Sequence, residues 1–260
     1  MNNGIIELQL GQFLLIYLLL LIVIFIMKKC KIDQSKLLLF ASIKMTIQLV
    51  LAGLILSFIF QQPSPIFTIL YIAAMMTFAI HHVIKQNQDM NREFKIVTIL
   101  SMAVSGLAII FFFVYIVVGE SLFNPQYMIP IAGMVMGNTM TGVGLGIKSF
   151  REALVGQRAR IQALFCMGAS PSSVLLPFVK QSLETAMLPT INSMVGMGIV
   201  SLPGMMTGQI LAGTLPMTAI LYQIAMMIAI CTVVTLACFG TLYFGHKTLY
   251  DKHDKILKEF

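Results

Sequence analysis

The chain of 260 residues is 58% hydrophobic and 10% charged, with a mean hydropathy of +0.91; a soluble domain carries about 25% charge, so composition excludes the soluble class and points to an integral membrane protein. The 17 Lys and Arg against 10 Asp and Glu leave a net charge of +7. These cations lie between apolar runs and do not gather on one exposed face, which excludes a nucleic-acid groove.

Six apolar runs follow one another, at residues 10–27, 37–60, 66–84, 96–118, 128–147 and 216–244. A helical span needs about 20 such residues at about 1.5 Å each. A seventh, less regular span is expected within residues 185–211. Lys28, Lys29, Lys31 and Lys36 follow the first run, and Lys85, Arg92 and Lys95 the third. Lys148, Arg151, Arg158, Arg160 and Lys180 follow the fifth, and Lys247, Lys252, Lys255 and Lys258 the last. Every second connection is therefore basic, and the positive-inside rule puts the N-terminus outside and the C-terminus in the cytoplasm. The expected fold class is all-α: a polytopic, multi-pass membrane protein of about seven transmembrane helices, forming a single domain over residues 1–260. Its lysines follow the first apolar run instead of preceding it, so that run is read as a retained helix and not as a signal peptide.

Cys30, Cys166, Cys231 and Cys238 have no CxxC or metal-ligand spacing and read as small apolar residues in packed helices. The fifth run carries two GxxxG spacings, Gly133 with Gly137 and Gly142 with Gly146, which let a neighbouring helix approach closely. Asn138, Thr139 and Thr141 lie between them; helix packing and the lining of a path are both open readings for Asn138. The stretch from Gly142 to Ser149 approaches a phosphate-binding loop, but Ile147 stands where that loop needs Gly, and no strand precedes it. No nucleotide site is expected on this chain.

Residues 148–180 read as a cytoplasmic coupling segment. An amphipathic helix bearing Arg151, Glu152, Gly156, Arg158 and Arg160 is expected to end near Met167, Gly168 and Ala169, with Ser170 as N-cap and Pro171 as first-turn proline of the next helix. Such a rigid basic element favours a protein partner over a lipid surface. Lys180 and Glu184 stand four apart, and their pairing would ease both into the membrane. Pro189, Asn192, Ser193, Gly196 and Gly198 then make a uniform helix unexpected.

The most unusual stretch follows: Ser201, Leu202, Pro203, Gly204, Met205, Met206, Thr207, Gly208 and Gln209, polar and helix-breaking inside apolar sequence. Irregular backbone at membrane depth survives where protein or a wet cavity satisfies it, and such places are transport paths. Tyr222 and Gln223 are expected to face back toward it. With Asn138, Glu184 and Asn192 these residues form the candidate path, and charge parity puts the break on the outer side, as binding site or outer gate. Thirteen of the 20 methionines lie after residue 127; adaptable filler and soft ligand are the two readings, the second attaching to Met205 and Met206. No residue selects a particular metal.

The motifs Gly168-Ala169-Ser170-Pro171, Gln181-Ser182-Leu183-Glu184, Pro189-Thr190-Ile191-Asn192, the run from Gly198 to Leu211 and Tyr222-Gln223-Ile224 resemble the FetB-type permeases. These are membrane subunits of bacterial ATP-binding-cassette iron exporters, related to plant aluminium-tolerance half-transporters. The resemblance implies a homodimer in the cell membrane bound to two copies of a separate cytoplasmic ABC ATPase, which carries the ATP and Mg; no catalytic residue, cofactor or nucleic acid is expected on this chain. Glu152-Ala153-Leu154 and Gly156 are also similar in kind to the coupling loop of importers, but the Leu-Pro ending of that loop is missing. The alternatives are an ATPase-independent carrier or channel and an ABC permease for a non-metal substrate. A carrier should show inverted repeats, and the first half holds no matching break.

Overall fold

The computed structural model describes residues 10–250, which fall into two compact units divided between Gln62 and Pro63. The first is a helical hairpin, α1 (Leu10–Lys29) and α2 (Ser35–Gln61), joined by a turn in which Lys31 takes the left-handed conformation at φ 52°. The Tyr17 and Thr46 hydroxyls hydrogen-bond across it.

The second unit holds α3 (Pro65–Gln86), α4 (Arg92–Phe111), α5 (Pro125–Gly156), α6 (Arg158–Cys166), α7 (Pro171–Gly196), α8 (Gly204–Leu211) and α9 (Pro216–Phe239). Both α4 and α9 run on through π-helical turns, Phe112–Val118 and Gly240–Phe244. The starts follow from the sequence. Pro65, Pro125, Pro171 and Pro216 occupy first turns, where a missing N–H costs nothing, and Asn91, Asn124 and Ser170 accept hydrogen bonds from Phe94, Gln126 and Ser173 N–H as N-caps.

Helix α5 is the hub and touches α3, α4, α7 and α9. Its glycines make this possible. A Cβ on Gly142 would lie 2.6 Å from Val234 Cγ1 and 3.6 Å from the Ala186 carbonyl, and one on Gly146 would lie 3.2 Å from Ala186 Cβ. The second GxxxG pair thus seats α7 and α9 against one face, as small residues do where helices pack without a hydrophobic drive. The first pair behaves differently: Gly133 faces Met75 of α3, and Gly137 meets nothing within 4 Å.

Among the described residues no strand forms, and five helices are long and apolar enough to cross a membrane: Ser35–Gln61, Pro65–Gln86, Arg92–Val118, Pro125–Gly156 and Pro216–Thr248. Helices α1 and α7 are also long, at 20 and 26 residues.

Three expectations are corrected. The basic amphipathic helix is not continuous through Arg151 and Arg160: α5 carries on to Gly156 and the chain breaks at Gln157 before α6. The segment after Pro171 is one uninterrupted helix to Gly196, passing through Pro177 and Pro189; membrane helices tolerate such prolines where neighbouring groups satisfy the carbonyls they free. At 26 residues it rises about 39 Å, well beyond the short span expected from residue 185. Finally, Lys180 and Glu184 are exposed and form no ion pair with each other; among the described residues of the second unit, Lys148 pairs with Glu152 and Arg151 with Asp89.

One end of the second unit is tied together by polar contacts. Arg151 Nη1 meets Asp89 Oδ2 at 2.7 Å, Asn91 Nδ2 donates to the Thr248 carbonyl at 3.2 Å, and the Ser172 and Tyr250 hydroxyls lie 2.9 Å apart. The connections that follow α3, α5 and α9 therefore share this end, and it is the basic end of the unit. Since α7 leaves from it, residues 197–203 lie at the opposite end.

Candidate transport site

The break forms where α7 runs out. Gly198 adopts φ +84°, a conformation that a side chain would strain. Its N–H donates to the Ser201 carbonyl at 2.9 Å, while Val200 and Ser201 N–H both return to the Gly196 carbonyl. The loop so closed exposes its apolar tip, with Ile199 91% and Val200 84% accessible. Pro203 caps α8, and the Thr207 hydroxyl donates to the Pro203 carbonyl at 2.7 Å. Ser201, Gly204 and Gly208 are exposed; Pro203, Met205, Thr207 and Gln209 are half-buried, and Met206 is buried against α9. The backbone irregularity is satisfied largely within its own turn.

Two of the cavities among the described residues, of about 430 and 460 Å³, adjoin α5 and the break. The first, between α3 and α5, is lined by Tyr71, Met75, Phe78, Gly133, Gly137 and Met140. The second, of about 460 Å³, lies between the end of α7, the break, α8 and α9. Met194, Met197, Met206 and Met227 contribute four of its walls, and Gln223 is its polar side chain. Gln223 is 6% accessible; its Nε2 donates to Met197 Sδ at 3.8 Å, and its buried Oε1 has no partner. Tyr222, the preceding residue, is half-buried and does not line this cavity.

Asn138 and Glu184 lie elsewhere, on the α5–α7 pair. The contacts of Gly142 with Ala186 and of Gly146 with Ala186 and the Ser182 carbonyl run in opposite chain directions, so the helices are antiparallel. With 100° per residue, the flank of α5 bearing Asn138 and Thr141 and the flank of α7 bearing Gln181, Leu188 and Asn192 turn to the same side of the pair, and all five residues are exposed. Glu184 lies a little further round α7 and is also exposed. Asn138 Nδ2 and Thr141 Oγ1 have only carbonyls of their own helix, Met134 at 2.8 Å and Gly137 at 3.1 Å. Of the residues expected to line a path, Leu202, Met206 and Gln223 meet at the methionine cavity, Asn138, Glu184 and Asn192 lie on the exposed side of the α5–α7 pair, and the rest of the break and Tyr222 line neither.

At the basic end, α6 projects between α5 and α7. Ile161 anchors it in the core, while Arg158, Arg160, Val155 and Met167 are exposed. Gly168 turns the chain at φ +85°, its N–H bonded to the Phe165 carbonyl, and Ser170 then starts α7 with Pro171. Gly156 and Glu152 are exposed, Ala169 is half-buried, and Arg151 is held by Asp89.

Sequence reasoning missed Met194, Met197 and Met227 as cavity walls. Met227 stands four residues after Gln223, and Met197 three after Met194, so each pair shares a helix-spaced stripe. The amide in an apolar helix was the available signal. Asp89 as the partner of Arg151 had none, because the two are 62 residues apart.

The model of the Uncharacterised protein family (UPF0014) matches residues 10–250. The chain belongs to this family. Among UPF0014 relatives, the "Probable iron export permease protein FetB" of Escherichia coli (strain K12) is 30% identical over 92% of each chain. "UPF0014 membrane protein slr1647" of Synechocystis sp. is 29% identical over 85% of each. "Protein ALUMINUM SENSITIVE 3" of Arabidopsis thaliana is 32% identical over 79% of this chain and 74% of its own. No solved structure matches. UPF0014 relatives are called membrane proteins, which agrees with the five membrane-length apolar helices; the expectation of a FetB-type relationship holds.

Proposed function

We propose that this chain is the membrane-spanning permease subunit of an ATP-binding-cassette exporter of metal cations, energised by a separate cytoplasmic ATPase. The observation that carries this reading is the projecting α6 element: exposed Arg158 and Arg160 flanked by exposed Val155 and Met167, on a helix anchored by Ile161 between two long helices. A compact apolar and basic knob at a polar-tied end suits a groove on a protein partner, and its two flanking helices give that partner a lever on α5 and α7. The name of the Escherichia coli relative supports a metal cation as cargo and export as direction.

In this reading α1 and α7 also span the cell membrane, giving seven spans with the N-terminus outside, and the basic end faces the cytoplasm. Two copies of the chain meet across the open flank of α5 and α7. Asn138, Thr141, Gln181, Glu184 and Asn192 then line the path between them, and residues 197–209 act at its outer mouth. The partner ATPase binds ATP and Mg; closure of its two copies pushes on residues 148–173 and shifts the packing of α5 against α7.

Co-purification with a candidate ABC ATPase co-expressed with this chain, and stimulation of its activity in liposomes, test the coupling. Arg158→Glu and Gly168→Trp should abolish both while the protein still inserts. Unchanged stimulation in both variants would remove the coupling claim.

A further inference from the structure

The cavity at the end of α7 has chemistry that neither helix packing nor a generic metal path explains. Four of its walls are thioethers, Met194, Met197, Met206 and Met227, and it contains no acidic or basic side chain. Its one amide, Gln223, has an Oε1 that is buried and unpartnered among the described residues, while Nε2 of the same side chain donates to the Met197 sulfur at 3.8 Å. A buried acceptor left without a donor is costly. The buried hydroxyls of Ser182 and Thr241 also lack a partner, and what sets Gln223 apart is that its side chain borders an open cavity.

From this we infer that the cavity is a binding site for a soft monovalent cation, Cu(I) or Ag(I), held by the thioethers of Met194, Met197, Met206 and Met227 with the Gln223 carbonyl oxygen as an auxiliary donor. The inference rests on the permease reading and names the class of cargo for it. Softness is the first reason: thioether sulfur prefers Cu(I), whereas hard cations take carboxylate, carbonyl and water oxygens. Charge is the second. A site with no anionic side chain leaves a bound ion its full charge, and the cost of desolvation rises with the square of that charge. A neutral, apolar cavity therefore discriminates against Fe(II) and Mg(II) in favour of a cation of charge one. Size is no obstacle. Methionine has three rotatable side-chain bonds and adapts to irregular space, so thioethers lining about 460 Å³ can close on an ion far smaller than the cavity.

Position gives the site a use. It lies at the end opposite the basic connections, against the glycine turn at Gly198 and the short helix α8. Neutral ligands release a cation more readily than carboxylates do, as suits the last site before exit. The shape of α8 and its turn then decides whether Met197 and Met206 face each other across the cavity.

The test uses the full chain purified in detergent, with accessible thiols blocked by N-ethylmaleimide, titrated with Ag+ and with Cu(I) in competition with bicinchoninate. The wild type should bind saturably, and Met197→Leu with Met206→Leu and Met227→Leu should weaken binding about 10- to 100-fold. Met134→Leu with Met140→Leu, outside the cavity, should leave binding unchanged, and Fe(II) should not compete. Leucine keeps size and apolarity, so affinity retained in the triple variant overturns the inference, as does Fe(II) binding that matches Ag+. If the triple variant loses helical circular dichroism, Met197→Leu alone decides by the same criterion. No ATPase takes part, so failure of the coupling experiment and failure of this one are separate results.

Discussion

The two ends of the second unit are built on opposite principles. At the basic end the glycines that extend α9 are locked: a Cβ on Gly245 would strike the fully buried Phe94 ring at 2.5 to 2.9 Å, and one on Gly240 would strike Ser101 at 2.6 Å, whereas Gly156 and Gly168 around α6 meet nothing within 4 Å. Polar ties from Arg151 to Asp89, from Asn91 to Thr248 and from Ser172 to Tyr250 cross-link elements distant in sequence. At the opposite end, Gly198, Gly204, Gly208 and Gly213 meet nothing within 4 Å, and the long-range polar contacts are an amide on a thioether and a 3.5 Å bond from the Thr68 hydroxyl to the Phe123 carbonyl. A stiff end transmits a push. A compliant end, furnished with methionine and short turns, can change shape when the push arrives.

The largest expected effect tests the stiff end. Gly245→Val should lower stability by about 1–3 kcal/mol through overpacking against Phe94, read as a fall in thermal midpoint in detergent, while Gly208→Val stays within about 0.5 kcal/mol. Equal losses would erase the contrast. Next, Gly198→Val should cost about 1–2 kcal/mol for a left-handed β-branched residue. Because the strain is confined to the turn, hydrogen exchange should quicken over residues 196–211 and not around Phe94.

Gln223→Leu should raise stability by about 1 kcal/mol, since it removes a buried acceptor that has no partner. A loss instead would mean that the amide is structural and that the compliant end is better satisfied than it looks. The smallest effect belongs to Asp89→Asn, at most about 1 kcal/mol, because the Asp89 side chain is 70% accessible and Arg151 is 31% accessible. It should shrink further in high salt, measured as the same thermal midpoint with added NaCl.

Much of the architecture was legible. Apolar runs long enough to span a bilayer, Pro and Asn or Ser at helix starts, and small residues four apart are local signals, and α3, α5 and the seat of α7 on Gly142 and Gly146 follow from them. The continuity of α7 was not legible, because Pro177 and Pro189 argue locally for a break that surrounding helices overrule. Nor was the gap at Gln157: Gly156 ends α5, but the residues on either side of it read locally as one amphipathic helix.

The sequence by itself determined that this is an all-helical membrane chain, that its cations fall on alternate connections, and that residues 201–209 interrupt an apolar stretch. Each of these depends on composition or spacing within a few turns. Tertiary structure decided which methionines share a cavity with Gln223, that Arg151 pairs with Asp89, and that Asn138 and Asn192 stand on one open flank. These depend on how α5, α7 and α9 are rotated about their axes. That rotation is set by which glycine accepts which neighbour, and nothing local in the chain encodes it.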